Sequence, residues 1–367
     1  MGKYKQQLEQ ELSTYLGVKN TVLFSSCRNT LYTLLLSLKL KKKDEVIIQS
    51  FICDSLPMAI EKAGATAIKV EVDPDTFNLS TNLVEKKINN NTKVIIFVHT
   101  YGNPTGITEI KALCEKHKLI LIEDIAHALG ASFNGQLAGT FGDYAVYSLT
   151  KQMVNIGGGA LLTNNNVYEV KLIRDRNRQK PAWLDYPKRL IASLYETRAF
   201  FLSKLVIDYV RKKADLKLAN ALSPHFYCTD IEAYLALHQL SSIKNKMARR
   251  KENYRLLKNI LLNDLIVQNI NEEAHSSYNY LSLIFPDEEQ RDLAVKKHFL
   301  FLPPWPGSKI SKKIIFIPNN PNFNRKKIDS FAQAYIKSQS LYAEAEEVKL
   351  YKSKTNKLRS QNKDCER

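Results

Sequence analysis

The 367-residue chain reads as an α/β protein, with a mostly parallel central sheet covered by helices on both sides and a smaller C-terminal α+β domain. Three observations predict this. From Thr21 to Thr163, apolar runs of four or five residues alternate with helical stretches, the pattern of strands buried on both faces. Hydrophobic residues make up 44% of the chain, a globular composition. A chain of 367 residues also exceeds what one core usually supports, so a large and a small domain are expected.

Leu8, Leu12, Tyr15 and Leu16 fall on one side of a first helix. The stretch Met1–Gly17 lacks the apolar core of a signal peptide, so the fold is expected to begin there. Thr21-Val22-Leu23-Phe24 has strand length, and the small polar turn Ser25-Ser26-Cys27-Arg28-Asn29 leads into a helix with Leu31, Leu34, Leu35 and Leu38 on its inner side. Strand, turn and helix in that order aim backbone N–H groups at a phosphate. The pattern repeats: strand Glu45–Ile48, helix Leu56–Ala63, strand Ala67–Val70, helix Ser80–Ile88, strand Val94–Val98, helix Glu109–His117, strand Leu119–Ile122. Strands at Ala145–Ser148 and Ala160–Thr163 follow, and then the alternation stops.

Residues 165–220 form a basic helical insertion in which Leu190, Leu194, Phe201, Leu205 and Tyr209 share one side. One long helix, Asp230–Leu262, leads out of the large domain. A strand at Tyr278–Phe285, a helix at Asp287–His298, a strand at Ile314–Ile317 and a helix from Lys326 complete a compact unit. The expected division is a large domain over 1–240, a small one over 241–343 and a charged, disordered tail over 344–367.

The net charge of +17 is concentrated in two segments. Residues 171–217 carry thirteen Lys/Arg against five Asp/Glu, and 349–367 carry seven against two. The remainder is near neutral and holds no RNA-binding signature, which argues against a nucleic-acid partner. Peripheral contact of the basic stretch 189–210 with an anionic membrane is the alternative to a packed or dimer-contact helix. No apolar run is long enough for a membrane span. The five cysteines (Cys27, Cys53, Cys114, Cys228, Cys365) form no CxxC pair, as free thiols in a reducing compartment would, and a cytoplasmic address is expected.

Chemistry concentrates at the ends of two strands. Lys151 lies between Ala145–Ser148 and the run Gly157-Gly158-Gly159, and Asp124 ends another strand within Glu123-Asp124-Ile125-Ala126-His127. An amine to form a Schiff base and a carboxylate for a pyridinium nitrogen are what pyridoxal phosphate requires. Lysine alone is more often a solvated surface residue, and aspartate after a strand is often a helix cap.

The series of motifs decides. Tyr15-Leu16-Gly17-Val18, Ser25-Ser26, Asp44-Glu45-Val46-Ile47, Ala63-Gly64-Ala65 with Val72-Asp73-Pro74, Val98-His99-Thr100-Tyr101-Gly102-Asn103-Pro104, Ile122 to Ala131, Gly139-Thr140-Phe141-Gly142-Asp143 and Ser148-Leu149-Thr150-Lys151 occur in the order of one family. The chain resembles the DegT/DnrJ/EryC1/StrS group of pyridoxal-phosphate sugar aminotransferases of fold type I. That resemblance implies that Lys151 bonds the cofactor and later carries a proton, and that Asp124 keeps the pyridine nitrogen protonated. It places His127 beside the cofactor ring, and Arg28, Asn29 and Ser148 at the phosphate. It further implies an amino donor such as glutamate, a nucleotide-linked keto sugar as acceptor, and a homodimer.

Departures stand beside the match. Cys27-Arg28 replaces a glycine-threonine pair, and two residues are missing between Ser148 and Lys151. The ring-stacking aromatic aligns with Cys53, leaving Phe51 as its substitute, and His225 and Tyr227 replace the asparagine and arginine that reach the neighbouring subunit. The lysine at 151 excludes the dehydrating branch, which carries histidine there. A pyridoxal-phosphate enzyme acting on another carbonyl, such as a cyclitol or a lipid-linked saccharide, and a non-catalytic binding relative are the alternative readings.

Overall fold

The computed structural model describes residues 2–177, 226–260, 268–297 and 307–323, together with positions 305, 326, 328–330 and 333. The basic stretch 189–210, His225, most of the helix expected from Lys326 and the tail over 344–367 lie outside the described residues.

A seven-stranded sheet organises the chain. It consists of β1 (Asn20–Phe24), β2 (Glu45–Gln49), β3 (Thr66–Val70), β4 (Thr92–Val98), β5 (Ile120–Asp124), β8 (Tyr144–Ser148) and β9 (Gly159–Thr163). The order across it is β1-β9-β8-β5-β4-β2-β3. The pairs from β3 to β8 are parallel, whereas β9 runs antiparallel to both β8 and β1. Because β9 alone is reversed, β1 points the same way as β8, and the carboxyl ends of six strands share one edge.

Alternation along the strands feeds opposite layers. Val94, Ile96 and Val98 of β4 enter the core beneath α2 (Cys27–Ser37) and α3 (Ser55–Lys62). Ile95 and Phe97 enter the layer of α4 (Thr81–Glu85) and α5 (Ile107–His117). Towards the other end, Ala145 and Tyr147 of β8 and Ala160 and Leu162 of β9 pack with α1 (Lys3–Leu16) and α7 (Asp230–Leu240), while Val146 and Leu161 face α2. Among the described residues, α6 (Tyr168–Arg176) adds Val170 to the α2 layer. The doubly covered sheet read from the sequence is the architecture observed.

Local chemistry sets the helix ends. Leu8, Leu12 and Leu16 give α1 its buried stripe, and Gly17 closes it in the left-handed conformation that glycine adopts without strain. Thr229 and Glu232 form a reciprocal capping box at the start of α7. The long helix expected over Asp230–Leu262 is two: α7 ends at Leu240 and α8 (Ile243–Ile260) begins after Ser241 and Ser242. The Ser242 hydroxyl bonds back to the Gln239 carbonyl at 2.7 Å, the local competition by which serine interrupts a helix. Helix α4 is also shorter than the Ser80–Ile88 expected.

The C-terminal elements comprise an antiparallel pair, β11 (Tyr280–Ile284) with β12 (Ile314–Pro318), and α9 (Glu288–Lys297). A three-stranded sheet of two-residue strands, β6 (Ser132–Phe133), β7 (Gln136–Leu137) and β10 (Ala274–His275), was not legible beforehand. Its strands are too short to carry a periodic signal.

The free edge of β1 is covered by charge. The Leu23 N–H donates to Glu9 at 3.0 Å and the Leu23 carbonyl accepts from Arg174 at 3.1 Å, with Arg174 and Glu9 3.9 Å apart. Arg174 also lies over the rings of Phe24 and Tyr227. The outward N–H and carbonyl of Leu23 are thereby withheld from another strand. Arg174→Ala is expected to lower stability by about 3 kcal/mol, as breaking a buried ion pair does, with Arg174→Lys intermediate. An unchanged urea midpoint for the alanine variant would show that the clamp contributes nothing.

Candidate active site

The reversed β9 brings two distant segments together. Its register pairs Gly159 with Phe24 on one side and with Ser148 on the other. The loop carrying Lys151 therefore leaves and re-enters the sheet beside the turn that starts α2. The Gly158 N–H donates to the Ser25 carbonyl at 2.8 Å, and Leu149 N–H to the Gly158 carbonyl at 3.1 Å. A Cβ at Gly159 would stand 2.4 Å from the Cys27 nitrogen, so only glycine permits this approach. On the helix side the Ser26 hydroxyl caps the Asn29 N–H at 3.1 Å. Helix geometry then directs the N–H groups of the first turn of α2 past its end.

Lys151, Asp124, Cys27, Cys53 and Arg28 share one electrostatic neighbourhood. Burial pushes the Asp124 carboxyl above its ordinary value, while the Ala126 N–H at 2.9 Å and the charges of His99 and Lys151 act against it. Burial likewise holds the Cys27 thiol well above its usual range, reinforced by Asp124 and Cys53 and opposed by Lys151 and Arg28. His127 is pushed well below the ordinary histidine value, first by burial and then by the Lys151 charge, so its ring is neutral. Ser148 bonds Thr150 at 3.1 Å. The structure thus gathers the six sequence-predicted residues at one edge of the sheet, Arg28 and Asn29 in the first turn of α2 and the others on the ends of β5 and β8.

Glu123, one residue before Asp124, points to the opposite face. It is fully buried and takes four hydrogen bonds, from Gly139, Phe141 and Gly142 N–H groups and from His99 Nε2, all at 2.7 to 2.8 Å. This carboxylate ties the end of β5 to the 139–142 turn and to His99. The tie was visible in the sequence only as residues within motifs, because nothing in their spacing says which side chain meets which backbone group.

His127 is set in aromatic surroundings. Tyr101 lies 6.3 Å and Trp305 5.8 Å from it in near-parallel planes, and Tyr280 meets it edge-on at 5.0 Å. Its carbonyl accepts a bond from the Ser277 hydroxyl. Tyr101 adopts φ +56°, a strained conformation for a bulky residue. Phe51, the substitute expected for the missing ring-stacking aromatic, is fully buried against Phe77, Tyr101 and Trp305. Cys53 is half-buried with its sulfur 2.8 Å from the Ser55 hydroxyl. Tyr227 lies against Arg174 and bonds Asp175. Asn279, unmarked in the sequence, donates to the Lys151 carbonyl at 3.4 Å.

The DegT/DnrJ/EryC1/StrS aminotransferase family model matches residues 1–300. The chain belongs to this family. GDP-perosamine synthase of Vibrio cholerae is 32% identical over 196 residues, 53% of each chain. UDP-N-acetyl-3-dehydro-alpha-D-glucosamine 3-aminotransferase of Acidithiobacillus ferrooxidans is 35% identical over 189 residues, 51% of each. The chain thus matches about half the length of these curated relatives. Among solved structures, the aminotransferase TlmJ from Streptoalloteichus hindustanus aligns with a TM-score of 0.74 at 20% identity, covering 93% of this chain and 92% of that one. The putative sugar aminotransferase Spr1654 from Streptococcus pneumoniae gives 0.75 at 20% identity, covering 94% and 93%. Those likenesses establish the fold.

The buried groups set a pH dependence. The unfolded chain protonates His127 near the ordinary 6.5, whereas the folded chain resists, so this contribution is complete above that pH and is lost as pH falls below it. Asp124 acts in the opposite sense: its raised value makes the ionised form costly at neutral pH, and acidification relieves that cost. In cofactor-free protein, His127→Gln is expected to flatten the fall of melting temperature between about pH 7 and 5.5. An identical profile in the variant would place the titration elsewhere.

Proposed function

We propose that this chain is a pyridoxal-phosphate-dependent aminotransferase that moves an amino group from an amino acid, glutamate by resemblance, to a ketone on a nucleotide-linked sugar. The observation that carries the reading is the meeting of Lys151 and Asp124 at the carboxyl edge of the sheet, beside the N-terminus of α2, in a chain of this family.

The residues present fit the cofactor. Lys151 offers the amine for its aldehyde and Asp124 the carboxylate for its ring nitrogen. Arg28, Asn29 and Ser148 lie around a helix start suited to its phosphate, and Gly159 brings no side chain against that start. When bound, pyridoxal phosphate supplies an electron sink for the negative charge left when a proton departs the carbon next to the nitrogen.

The chain's own groups do the rest. Lys151 Nζ would be the base that takes the proton from the donor's α-carbon and, in the half-reaction with the sugar, the acid that gives a proton to the carbon that becomes aminated. Asp124, whose ionised form burial disfavours, would pair with a protonated ring nitrogen, and that pairing would offset the cost of its desolvation. Neutral His127 adds no competing charge beside the ring. The names of the relatives, one making a GDP-linked and one a UDP-linked amino sugar, support a nucleotide-linked acceptor. We propose a homodimer, on the family resemblance, and a cytoplasmic address, on the absence of a CxxC pair or regular spacing among the cysteines.

Borohydride treatment of the cofactor-saturated protein, followed by peptide mapping, is expected to find Lys151 modified. Lys151→Ala should lose the visible absorbance band that glutamate bleaches, and Asp124→Asn should slow amino transfer by about 100-fold or more. An unmodified Lys151 in saturated protein would sink the reading.

A further inference from the structure

At the same edge of the sheet lies an aromatic cluster that the transfer as set out does not use. Phe51, Phe77, Tyr101, Tyr280 and Phe316 are buried in it, and Trp305 is the ring among them that keeps partial exposure. The indole centre stands 5.3 Å from Phe51, 5.5 Å from Tyr101 and 5.8 Å from His127, its plane only 15° from that of the histidine. Partial exposure at the edge where α/β sheets take their ligands leaves part of this residue, with its flat apolar ring, open to an incoming molecule.

Its placement is secured from the carboxyl ends of β2 and β3. Glu71, immediately after β3, accepts hydrogen bonds from the Ser308 hydroxyl, from Ser50 at 2.9 Å, and from the Val72 and Lys309 N–H groups. Burial works to raise the Glu71 carboxyl, yet these bonds bring it below its ordinary value, so it stays ionised at neutral pH. The Ser311 hydroxyl in turn donates to the Trp305 carbonyl. Ser308 and Lys309 are therefore held at the ends of β2 and β3, and the Trp305 carbonyl is tied to Ser311.

We propose that Trp305 is a binding residue for the acceptor, an apolar wall beside the cofactor on which the C–H face of the sugar ring lies, and that Glu71 is the positioning residue that holds it there. This rests on the aminotransferase reading above. The sugar, and not the nucleotide base, is assigned to the indole because the ketone must come within reach of Lys151, whose charge is felt at His127, the ring parallel to Trp305. A hexose offers a face of C–H bonds to such a wall, and its hydroxyls remain at the rim. The amino donor, a small charged molecule, has no such face, so its half of the reaction should be indifferent to the indole.

The chain has two tryptophans, so Trp183→Phe leaves Trp305 as the sole emitter. Loading that variant with pyridoxal phosphate, followed by absorbance, should quench most of the Trp305 emission by energy transfer to the nearby cofactor. Bound cofactor with an unquenched indole overturns this inference and leaves the aminotransferase reading intact, whereas failure to bind the cofactor at all overturns both. In the otherwise unaltered chain, Trp305→Ala should raise KM by about ten-fold or more, a factor equal to about 1.4 kcal/mol. The probes are GDP-4-keto-6-deoxymannose and UDP-N-acetyl-3-dehydroglucosamine, whichever turns over, with the rate of bleaching by glutamate unchanged. Glu71→Gln should move the same constant in the same direction by a smaller factor. Equal losses in both half-reactions, or none in either, reject the wall. If neither sugar turns over, the emission measurement alone decides.

Discussion

The close backbone approach of Gly158 and Gly159 to the turn between β1 and α2 is the constraint on which the site depends. With no side chain at Gly159, the start of β9 runs against Ser26 and Cys27, and the Gly158 N–H finds the Ser25 carbonyl. That contact fastens the loop bearing Lys151 to the helix start that suits a phosphate. The antiparallel placement of β9 makes it possible, since a parallel strand there would carry Gly159 to the far edge of the sheet.

A second constraint acts beneath the same edge. Glu123 gathers three backbone N–H groups and His99, and so fixes the end of β5 from the face opposite Asp124. Adjacent residues on one strand thus divide the labour: Glu123 anchors and Asp124 faces the lysine. A buried carboxylate with four donors is a rigid support, because withdrawing any donor would leave a charge or an N–H group unsatisfied in the interior. The strained backbone at Tyr101 and the bond from Ser277 to the His127 carbonyl belong to the same tight packing around the edge.

Much of the fold was legible because strands buried on both faces write themselves as apolar runs. The strands at Ala145–Ser148 and Ala160–Thr163 were read to within one residue of β8 and β9. What the runs could not say was that β9 inserts between β1 and β8, since strand order follows from pairing between distant segments. The break at Ser241 and Ser242 escaped notice because apolar spacing continues across it, and hydrogen bonding of a serine hydroxyl to the preceding turn leaves no periodic mark. At the site, the residues along the chain name Phe51 as the substitute for the aromatic that Cys53 replaces, and only packing shows which rings Phe51 meets.

The sequence by itself determined the sheet with its two helical layers, the family, and the candidates Lys151, Asp124, His127, Arg28, Asn29 and Ser148, because each is written in local patterns and ordered motifs. Tertiary structure alone decided that these residues meet, that Glu123 and His99 support them from behind, and that Trp305, from beyond the residues the family model matches, stands beside His127. Such meetings arise from pairing and packing between residues far apart along the chain. No local pattern encodes them.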